Sequence, residues 1–163
     1  MDGNSQVKLA IGEPMKSGIY VSEQDADKEI GGVVWRDDNG NGIRDGGEIR
    51  ISNAVVRLYD WNNDLVKQVN TNGAGEYKFT DLYARSYRVE IDRPNSGYSL
   101  TAYQAGDDRS IDNDFTDLIN SLQTGEAVVD LETESHPLNI DAGYMEGINI
   151  QGYIWYDENY NGI

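Results

Sequence analysis

The sequence contains no cysteine and a single histidine, His136. Disulfide frameworks, thiol nucleophiles and thiolate zinc sites are therefore excluded, as are metal sites built from several histidines of this sequence. Basic residues are also scarce: 13 Lys and Arg stand against 29 Asp and Glu, which gives a formal net charge of −16. Because proteins that bind nucleic acid neutralise phosphates with basic side chains, this balance argues against a nucleic-acid partner and against docking on an anionic membrane. No apolar run approaches the roughly 18 residues of a membrane span, so we expect no membrane insertion.

An internal repeat organises the sequence. Residues 29–43 align with residues 149–163, and Ile, Gly, Trp, Asp, Asn, Asn, Gly and Ile stand at the same places in both. Self-similarity at a fixed period is typical of tandem modules. We therefore predict a leader, linker or end of an upstream module at 1–28, one full repeat at 29–145, and the truncated start of the next repeat at 146–163.

Within the repeat, apolar residues alternate with polar ones, as in strands that bury one face. Turn-forming clusters of Asn, Asp and Gly separate the alternating segments. The best helix candidate, at 115–122, is short and is not capped by Pro or Gly. The spacing predicts an all-β fold, an antiparallel sandwich of short strands. Strands are predicted at 30–35, 54–59, 65–70, 76–79, 87–91, 98–102, 127–131 and 138–143.

The strongest motif is a twelve-residue acidic loop at 37–48, which matches the spacing of an EF-hand calcium loop. Gly42 at the sixth position permits a sharp bend, and Glu48 at the twelfth can close the site with two oxygens. A turn without metal would need neither of these residues. Strands are predicted on both sides of the loop, so it interrupts a sheet and does not join two helices. The predicted oxygen ligands are Asp37, Asn39, Asn41, Ile43 through its carbonyl, Asp45 and Glu48.

A second acidic cluster lies at 107–114. If the strands alternate in direction, this cluster, the loop at 37–48 and the turn at 71–75 lie at the same end of the sandwich. A solvated charge run is the alternative. Asn72 and Asp141 are weaker candidates for the same site, and we expect two or three Ca²⁺ ions in all. The further ligands predicted in the cluster are Asp107, Asp108, Asp112 and Asp114.

The trailing copy of the motif is incomplete. Asp157, Asn159 and Asn161 reproduce the first, third and fifth positions of the loop, but the ninth and twelfth positions are missing from the sequence. We expect this truncated site not to bind metal by itself.

Several motifs together resemble one known family. They are Gly32-Val33-Val34-Trp35-x-Asp37-x-Asn39-x-Asn41-Gly42-Ile43-x-Asp45-x-x-Glu48, Gly75-x-Tyr77-x-Phe79-x-x-Leu82, Tyr87-x-Val89-Glu90, Pro94-x-x-Gly97-Tyr98, Asp112-Asn113-Asp114 and Ile140-Asp141-Ala142-Gly143. This set is similar to the B-type repeats of the serine-aspartate-repeat surface adhesins of Gram-positive bacteria. The resemblance implies a Greek-key, prealbumin-like (Cna B-type) β-sandwich, several bound Ca²⁺ ions, and a place in a tandem stalk on the cell surface.

The resemblance also implies a function and a location. We expect a non-catalytic, calcium-stiffened spacer whose partners are adjacent repeats of the same chain. We expect it on the outside of a bacterial cell, attached to the wall through the parent protein. Carboxylate pairs at the spacing of a glycosidase are unavoidable in so acidic a sequence, so they do not indicate an enzyme.

The main alternative is a module that recognises a carbohydrate or a protein ligand, in a host or a scaffold, through exposed aromatic residues. Tyr59, Tyr83 and Tyr103 are the candidates, because they fall on polar faces or in loops. A Lys–Asn crosslink, which relatives of this fold can carry, is not expected. The predicted first strand, from Gly31 to Trp35, lacks a lysine, and Ile91 stands where the required acid would be.

Overall fold

The computed structural model describes residues 26–118, 124–134 and 137–147. None of these residues is helical, and therefore no helix among them is long and apolar enough to cross a membrane. The fold is all-β, as predicted. Its strands are β1 (Lys28–Arg36), β2 (Val55–Tyr59), β3 (Leu65–Asn70), β4 (Glu76–Leu82), β5 (Ser86–Asp92), β6 (Tyr98–Leu100), β7 (Thr116–Asp117), β8 (Thr124–Asp130) and β9 (Ala142–Glu146).

The strands form two sheets, with the orders β4-β1-β9-β6 and β3-β2-β5-β8-β7. Every strand pair is antiparallel except one: β1 and β9 run parallel, with Val34 opposite Ala142 and Arg36 opposite Tyr144. The predicted sandwich is thus confirmed, with one parallel pair in its smaller sheet. The first and last strands of the domain are direct neighbours.

The core confirms the period-two pattern. On β2, Val56 and Leu58 are fully buried, and on β5 the same is true of Val89 and Ile91. These side chains belong to one continuous apolar cluster that also includes Phe79. Alternate residues of each strand therefore face the space between the sheets.

The helix candidate at 115–122 is not a helix where the structure describes it. Residues 116 and 117 form β7, which pairs with β8, and residues 119–122 lie outside the described part of the chain. Pairing with β8 supplies the backbone hydrogen bonds of this short segment from a neighbouring strand. The fully buried ring of Phe115 precedes it.

The predicted strand at 138–143 is also shifted, because β9 begins only at Ala142. The preceding residues still bond to β1, since Ile140 N–H donates to the Gly31 carbonyl at 2.9 Å. The next ladder position is taken by a side chain: Val33 N–H donates to Asp141 Oδ1 at 2.7 Å. A carboxylate thus replaces a backbone carbonyl, and the regular ladder starts one residue later.

The strand directions define two ends. β2 leads away from the loop at 37–48, and the antiparallel β5 leads back toward the segment at 107–114. We call the end that carries 37–48, 107–114 and Asp141 the acidic end. The opposite end carries the β2–β3 hairpin loop at 60–64, and we call it the aromatic end.

Candidate metal centre

Asp37 organises the first half of the acidic loop. It follows β1 directly, and its backbone N–H donates to the Tyr144 carbonyl at 2.9 Å. Its Oδ1 accepts from Gly40 N–H and its Oδ2 from Gly42 N–H, both at 2.7 Å, while the Thr101 hydroxyl donates to Oδ2 at 2.5 Å. The carboxylate therefore shapes the loop and ties it to the segment after β6.

Gly42 makes the bend that its position predicted. Its φ is +78°, in the left-handed region that favours glycine. A Cβ there would lie 2.6 Å from Ala105 Cβ and 2.9 Å from the Ala102 carbonyl oxygen. Only glycine fits this position without a shift of the neighbouring segment.

The remaining polar side chains of the loop bond to one another. Asp45 Oδ2 accepts from Asn39 Nδ2 at 2.8 Å and from Asn41 Nδ2 at 3.0 Å. Glu48 reaches back across the loop, with Oε1 accepting from Asp38 N–H at 3.0 Å and Oε2 from Asp45 N–H at 2.9 Å. The amides at positions three and five thus both donate to one carboxylate oxygen at position nine. The Glu48 carboxylate, at position twelve, closes the loop by bonding to backbone N–H groups.

Two carboxylates of the second cluster, Asp112 and Asp114, are buried, and so is Asp141. Asp112 is fully buried, and neither of its carboxylate oxygens has a hydrogen-bond partner; Arg109 Nε lies 3.5 Å from Oδ2. Asp114 Oδ2 accepts from Asp141 N–H at 3.0 Å, and Asp114 N–H donates to the Asp141 carbonyl at 2.9 Å. Asp112 is therefore a buried anion without a full set of partners.

The loop and the buried cluster are joined directly. Ile43 and Asp112 form an isolated antiparallel bridge, and Arg44 N–H donates to the Ile111 carbonyl at 2.7 Å. Arg44 Nη2 donates to the Ser110 carbonyl at 2.7 Å and lies 3.0 Å from Asp141 Oδ2. The acidic end thus brings together the loop at 37–48, the segment at 110–114, and Asp141.

Two arginines belong to this site that the sequence reasoning missed. Arg44 pairs with Asp141, and Arg109 Nη2 lies 2.7 Å from Asp114 Oδ1. Both stand inside acidic motifs, Arg44 at the eighth position of the loop and Arg109 in the middle of the second cluster. A lone basic residue inside a run of acids was the available signal.

Burial changes the acidity of these groups. It raises the pKa of Asp114 and that of Asp141 to about 6, although Arg109 and Arg44 oppose the change. Burial also raises the pKa of Asp112. At Asp37, burial acts in the same direction, but hydrogen bonds from Thr101 and the loop N–H groups outweigh it and lower the pKa.

Other predicted ligands lie apart from the buried carboxylates. Asp107 and Asp108 are exposed, and Asp108 Oδ1 accepts from Ser110 N–H at 3.0 Å. Asn72 Oδ1 bonds within its own turn, to Ala74 and Glu76 N–H. Across 26–118, 124–134 and 137–147, no three acidic or histidine side chains converge closely enough to hold a metal ion by themselves. The truncated site at Asp157, Asn159 and Asn161 lies outside these ranges.

The tyrosines predicted for ligand recognition are partly covered. Arg88 stacks over the Tyr59 ring at 4.8 Å, and Arg85 over the Tyr83 ring at 4.9 Å. Tyr103 is exposed, and its hydroxyl accepts from Gln104 Nε2 at 2.6 Å. The sequence reasoning passed over the most exposed aromatic residue of the described chain, Trp61, because it stands in a turn.

The positions relevant to a Lys–Asn crosslink are apolar. Ile91 is fully buried where the acid would be needed, and Ile30 and Val34 are the fully buried apolar residues of β1 that flank its glycine pair. The prediction that the first strand lacks a lysine is wrong, because β1 begins with Lys28. The Lys28 side chain is 44% exposed, and its Nζ lies 3.3 Å from Asp27 Oδ1.

A solved structure shares this architecture. The minor pilin GBS52 of Streptococcus agalactiae matches with a TM-score of 0.50 and 13% identity, over 81% of this chain and 50% of that one. At that identity the match shows the fold alone.

The family follows from the sequence match. The model of the SdrD B-like domain matches residues 28–144, so the chain belongs to the SdrD B-like domain family. Serine-aspartate repeat-containing protein D of Staphylococcus aureus (strain Newman) is 35% identical over 158 residues, covering 96% of this chain and 11% of that protein. Serine-aspartate repeat-containing protein F of Staphylococcus epidermidis (strain ATCC 12228) is 31% identical over 170 residues, covering 99% of this chain and 10% of that protein. The family resemblance is confirmed, and the chain spans about a tenth of the length of these relatives.

Proposed function

We propose that this domain is a non-catalytic, calcium-binding spacer module of an adhesin-type protein on the bacterial cell surface. Two or three Ca²⁺ ions bind at its acidic end, and its partners are neighbouring repeats of the same chain. The observation that carries this proposal is Asp112, a fully buried carboxylate with no hydrogen bond to either oxygen. Because an isolated buried charge is costly, a cation at this place would offset a penalty that the protein otherwise bears.

The loop at 37–48 has the donors for one ion. Calcium takes six to eight oxygens, from carboxylates, amides and backbone carbonyls. Asn39 and Asn41 already point at Asp45 Oδ2 through their amide nitrogens. A calcium ion would replace those two N–H donors and recruit the amide oxygens, with Asp37 and Glu48 as the charged ligands at either end of the loop. Because these proposed ligands include two amides and a backbone carbonyl, the site does not need three acidic side chains close together.

The buried carboxylates have the charge for a further ion. Three acids, Asp112, Asp114 and Asp141, face two arginines, so one negative charge remains without a counterion. Calcium would neutralise this remainder. Asp107 and Asp108 are exposed on the same segment, where they remain candidates for an outer ion.

The course of the chain supports a spacer. Because β1 and β9 are parallel, the chain enters the domain at the aromatic end and leaves it at the acidic end. Arg36 Nη1 lies 3.8 Å from Glu146 Oε2 at that exit, and a Cβ on Gly40 would lie 3.3 Å from Met145 Sδ. Calcium in the loop would therefore adjoin the connection to the next repeat and restrict its movement.

The family supports the location. The relatives are named for serine-aspartate repeats, and the sequence resemblance implies a wall-attached parent protein outside the cell. Extracellular modules typically bind calcium with a Kd of about 0.1–1 mM, so millimolar calcium outside the cell would occupy such weak sites.

Metal counting tests the calcium proposal. Native mass spectrometry of the protein in calcium should reveal two or three bound ions, and EDTA should remove them. Thermal unfolding should then occur more than about 10 °C lower, since each site contributes roughly 2.7 kcal/mol at a hundredfold excess of calcium over Kd. An ion count of zero, or an unchanged melting curve, would refute it.

The spacer proposal needs a second measurement. Small-angle scattering on a protein completed through two repeats should give a larger and better defined maximum dimension in calcium than in EDTA. If both domains stay folded and the dimension is unchanged, calcium does not stiffen the junction.

A further inference from the structure

The aromatic end carries an indole that the core does not need. Trp61 is 73% exposed at the tip of the loop at 60–64, and Val128 on β8 is 75% exposed. Together they line a shallow cleft of about 160 Å³. Burial of such side chains against a ligand is favourable, and two of them meet at this cleft.

Hydrogen bonds within the loop at 60–64 hold the backbone around Trp61 in place. Asp60 N–H donates to the Asp64 carbonyl, and Asn63 N–H donates to the Asp60 carbonyl, both at 3.0 Å. Asp60 Oδ1 accepts from the N–H groups of Asn62 and Asp64 at 2.9 and 3.0 Å. The backbone of such a tied loop loses little further freedom when it meets a ligand.

A row of side chains forms the floor beside Trp61. Tyr59 on β2, Arg88 on β5 and Val128 on β8 are opposite one another in register and share the outer face of the sheet. Arg88 Cζ lies over the Tyr59 ring, 4.8 Å from its centre, and Arg88 Nη2 donates to Asn63 Oδ1 at 3.1 Å. The Arg88 guanidinium thus connects the loop at 60–64 to β5 through a hydrogen bond.

The charges of the cleft disfavour an anionic ligand. Arg88 is its only cation among the lining residues, and it is already paired with Glu90 and lies 3.8 Å from Glu126. Asp60 adds a further negative charge at the rim. Phosphate and sulfate groups would gain little from Arg88, because Glu90 and Glu126 already offset its positive charge.

The remaining lining groups suit hydroxyls. Asp60 contributes a carboxylate, Asn63 an amide and Ser86 a hydroxyl, all at the edge of the indole surface. The carboxylate accepts hydrogen bonds from alcohols, and the amide and the hydroxyl both donate to and accept from them. The cleft is smaller than the roughly 300 Å³ at which pockets for drug-sized ligands begin, so it has room for a single ring.

We propose that this Trp61 cleft binds a neutral carbohydrate. One pyranose ring lies with its apolar C–H face on the indole and beside Val128, and its hydroxyls bond to Asp60, Asn63 and Ser86. This function is additional to the spacer role and does not require calcium, so it stands or falls independently of the metal sites.

Nuclear magnetic resonance of the whole chain tests the proposal, with methyl β-glucoside, methyl β-galactoside and methyl N-acetyl-β-glucosaminide as probes. At least one probe should shift the Trp61 indole and Val128 methyl signals in a saturable way. The Val128 signals remain available in Trp61→Ala, where the affinity should fall at least about tenfold. Trp61→Phe should retain part of the affinity because it keeps an aromatic face.

Tyr103→Ala is the matched control, since it removes another exposed aromatic side chain at the acidic end. It should leave the affinity unchanged. The proposal is overturned if none of the three glycosides shifts the Trp61 signal, or if binding survives Trp61→Ala. It is also overturned if only decalysine, as a basic peptide probe, binds the cleft. Glycoside titrations repeated in EDTA should give the same affinity. Carbohydrate binding can therefore be judged independently of calcium binding.

Discussion

The acidic end and the aromatic end terminate the same strands but differ in how their polar groups are satisfied. At the aromatic end, the loop at 60–64 bonds to its own backbone and leaves an apolar ring in solvent. At the acidic end, Asp112, Asp114 and Asp141 are buried and share two arginines. One end is therefore complete as a folded loop and open to a ligand, while the other depends on counterions. The shared core explains how both ends tolerate such different chemistry, since the strands alone position the loops.

Removal of calcium should produce the largest difference in local stability between the two ends. After calcium removal, amide hydrogen exchange at Gly40, Gly42 and Arg44 should accelerate by at least about tenfold, because the loop loses its central charge. Exchange at Asn62 and Asp64 should change by less than about twofold. Equal acceleration at both ends would mean that calcium stabilises the whole domain and not one end of it.

Substitutions within the loop should rank its ligands. Glu48→Gln should weaken calcium binding at least about tenfold, because it removes a charge and one oxygen of the two-oxygen ligand. Asn39→Ala should cost less, since water can replace an amide oxygen. Titration calorimetry measures both affinities, and the opposite ranking would show that the ligand roles are assigned wrongly.

Asp112→Asn should have opposite effects with and without calcium. Without calcium it removes a buried charge that lacks hydrogen bonds, so the free energy of unfolding should rise by about 1 kcal/mol or more. With calcium the stabilisation by the ion should shrink. The matched variant Asp64→Asn, at the aromatic end, should change neither quantity by more than about 0.5 kcal/mol. A loss of stability in both conditions would contradict the assignment of Asp112 as a buried charge without hydrogen bonds.

The acidic end should also respond to pH. Asp114 and Asp141 have pKa values raised to about 6 in the folded protein, above the usual 3.8. Their contribution to stability is therefore present below about pH 4 and is lost as pH rises through 6. Calcium-free protein should melt roughly 5 °C higher at pH 5 than at pH 7.5. Melting curves in EDTA across this range test the sign, and a steady gain in stability toward neutral pH would contradict it.

The smallest effect is expected at the aromatic end. Trp61→Ala should change the free energy of unfolding by less than about 0.5 kcal/mol, because the ring is largely exposed. Leu58→Ala, three residues earlier and fully buried, should cost about 2–5 kcal/mol. Denaturant titration of the two variants makes the comparison. A large loss in Trp61→Ala would mean that the indole supports the fold and is not kept for a ligand.

Much of the fold was predictable because its signals are local. Alternation of apolar residues located β2 and β5 closely, turn signals on both sides located β3, and Gly42 located the bend of the acidic loop. The start of β9 was misplaced because Asp141 substitutes a side-chain oxygen for a ladder carbonyl, and no local pattern signals such a long-range bond. The two-residue β7 was mistaken for part of a helix because its hydrogen bonds come from a distant strand.

The site was predictable to a similar degree. Spacing identified the loop at 37–48, and the expected alternation of strand direction placed 107–114 at the same end. The structure confirms that the two segments lie side by side. It did not identify which acids are buried, because burial depends on packing between segments far apart in sequence. Arg44 and Arg109 were overlooked for the same reason, and Trp61 was read only as part of a turn.

The parallel pairing of β1 and β9 has a mechanical consequence. A pulling force that reaches the domain through Lys28 and Glu146 draws these two neighbouring strands in opposite directions along their shared ladder. The hydrogen bonds around Val34, Trp35 and Arg36 are then loaded together, in shear, and cannot be peeled apart one at a time. Rupture must also drag the buried Trp35 ring past its neighbours, so the domain resists extension where its two terminal strands meet.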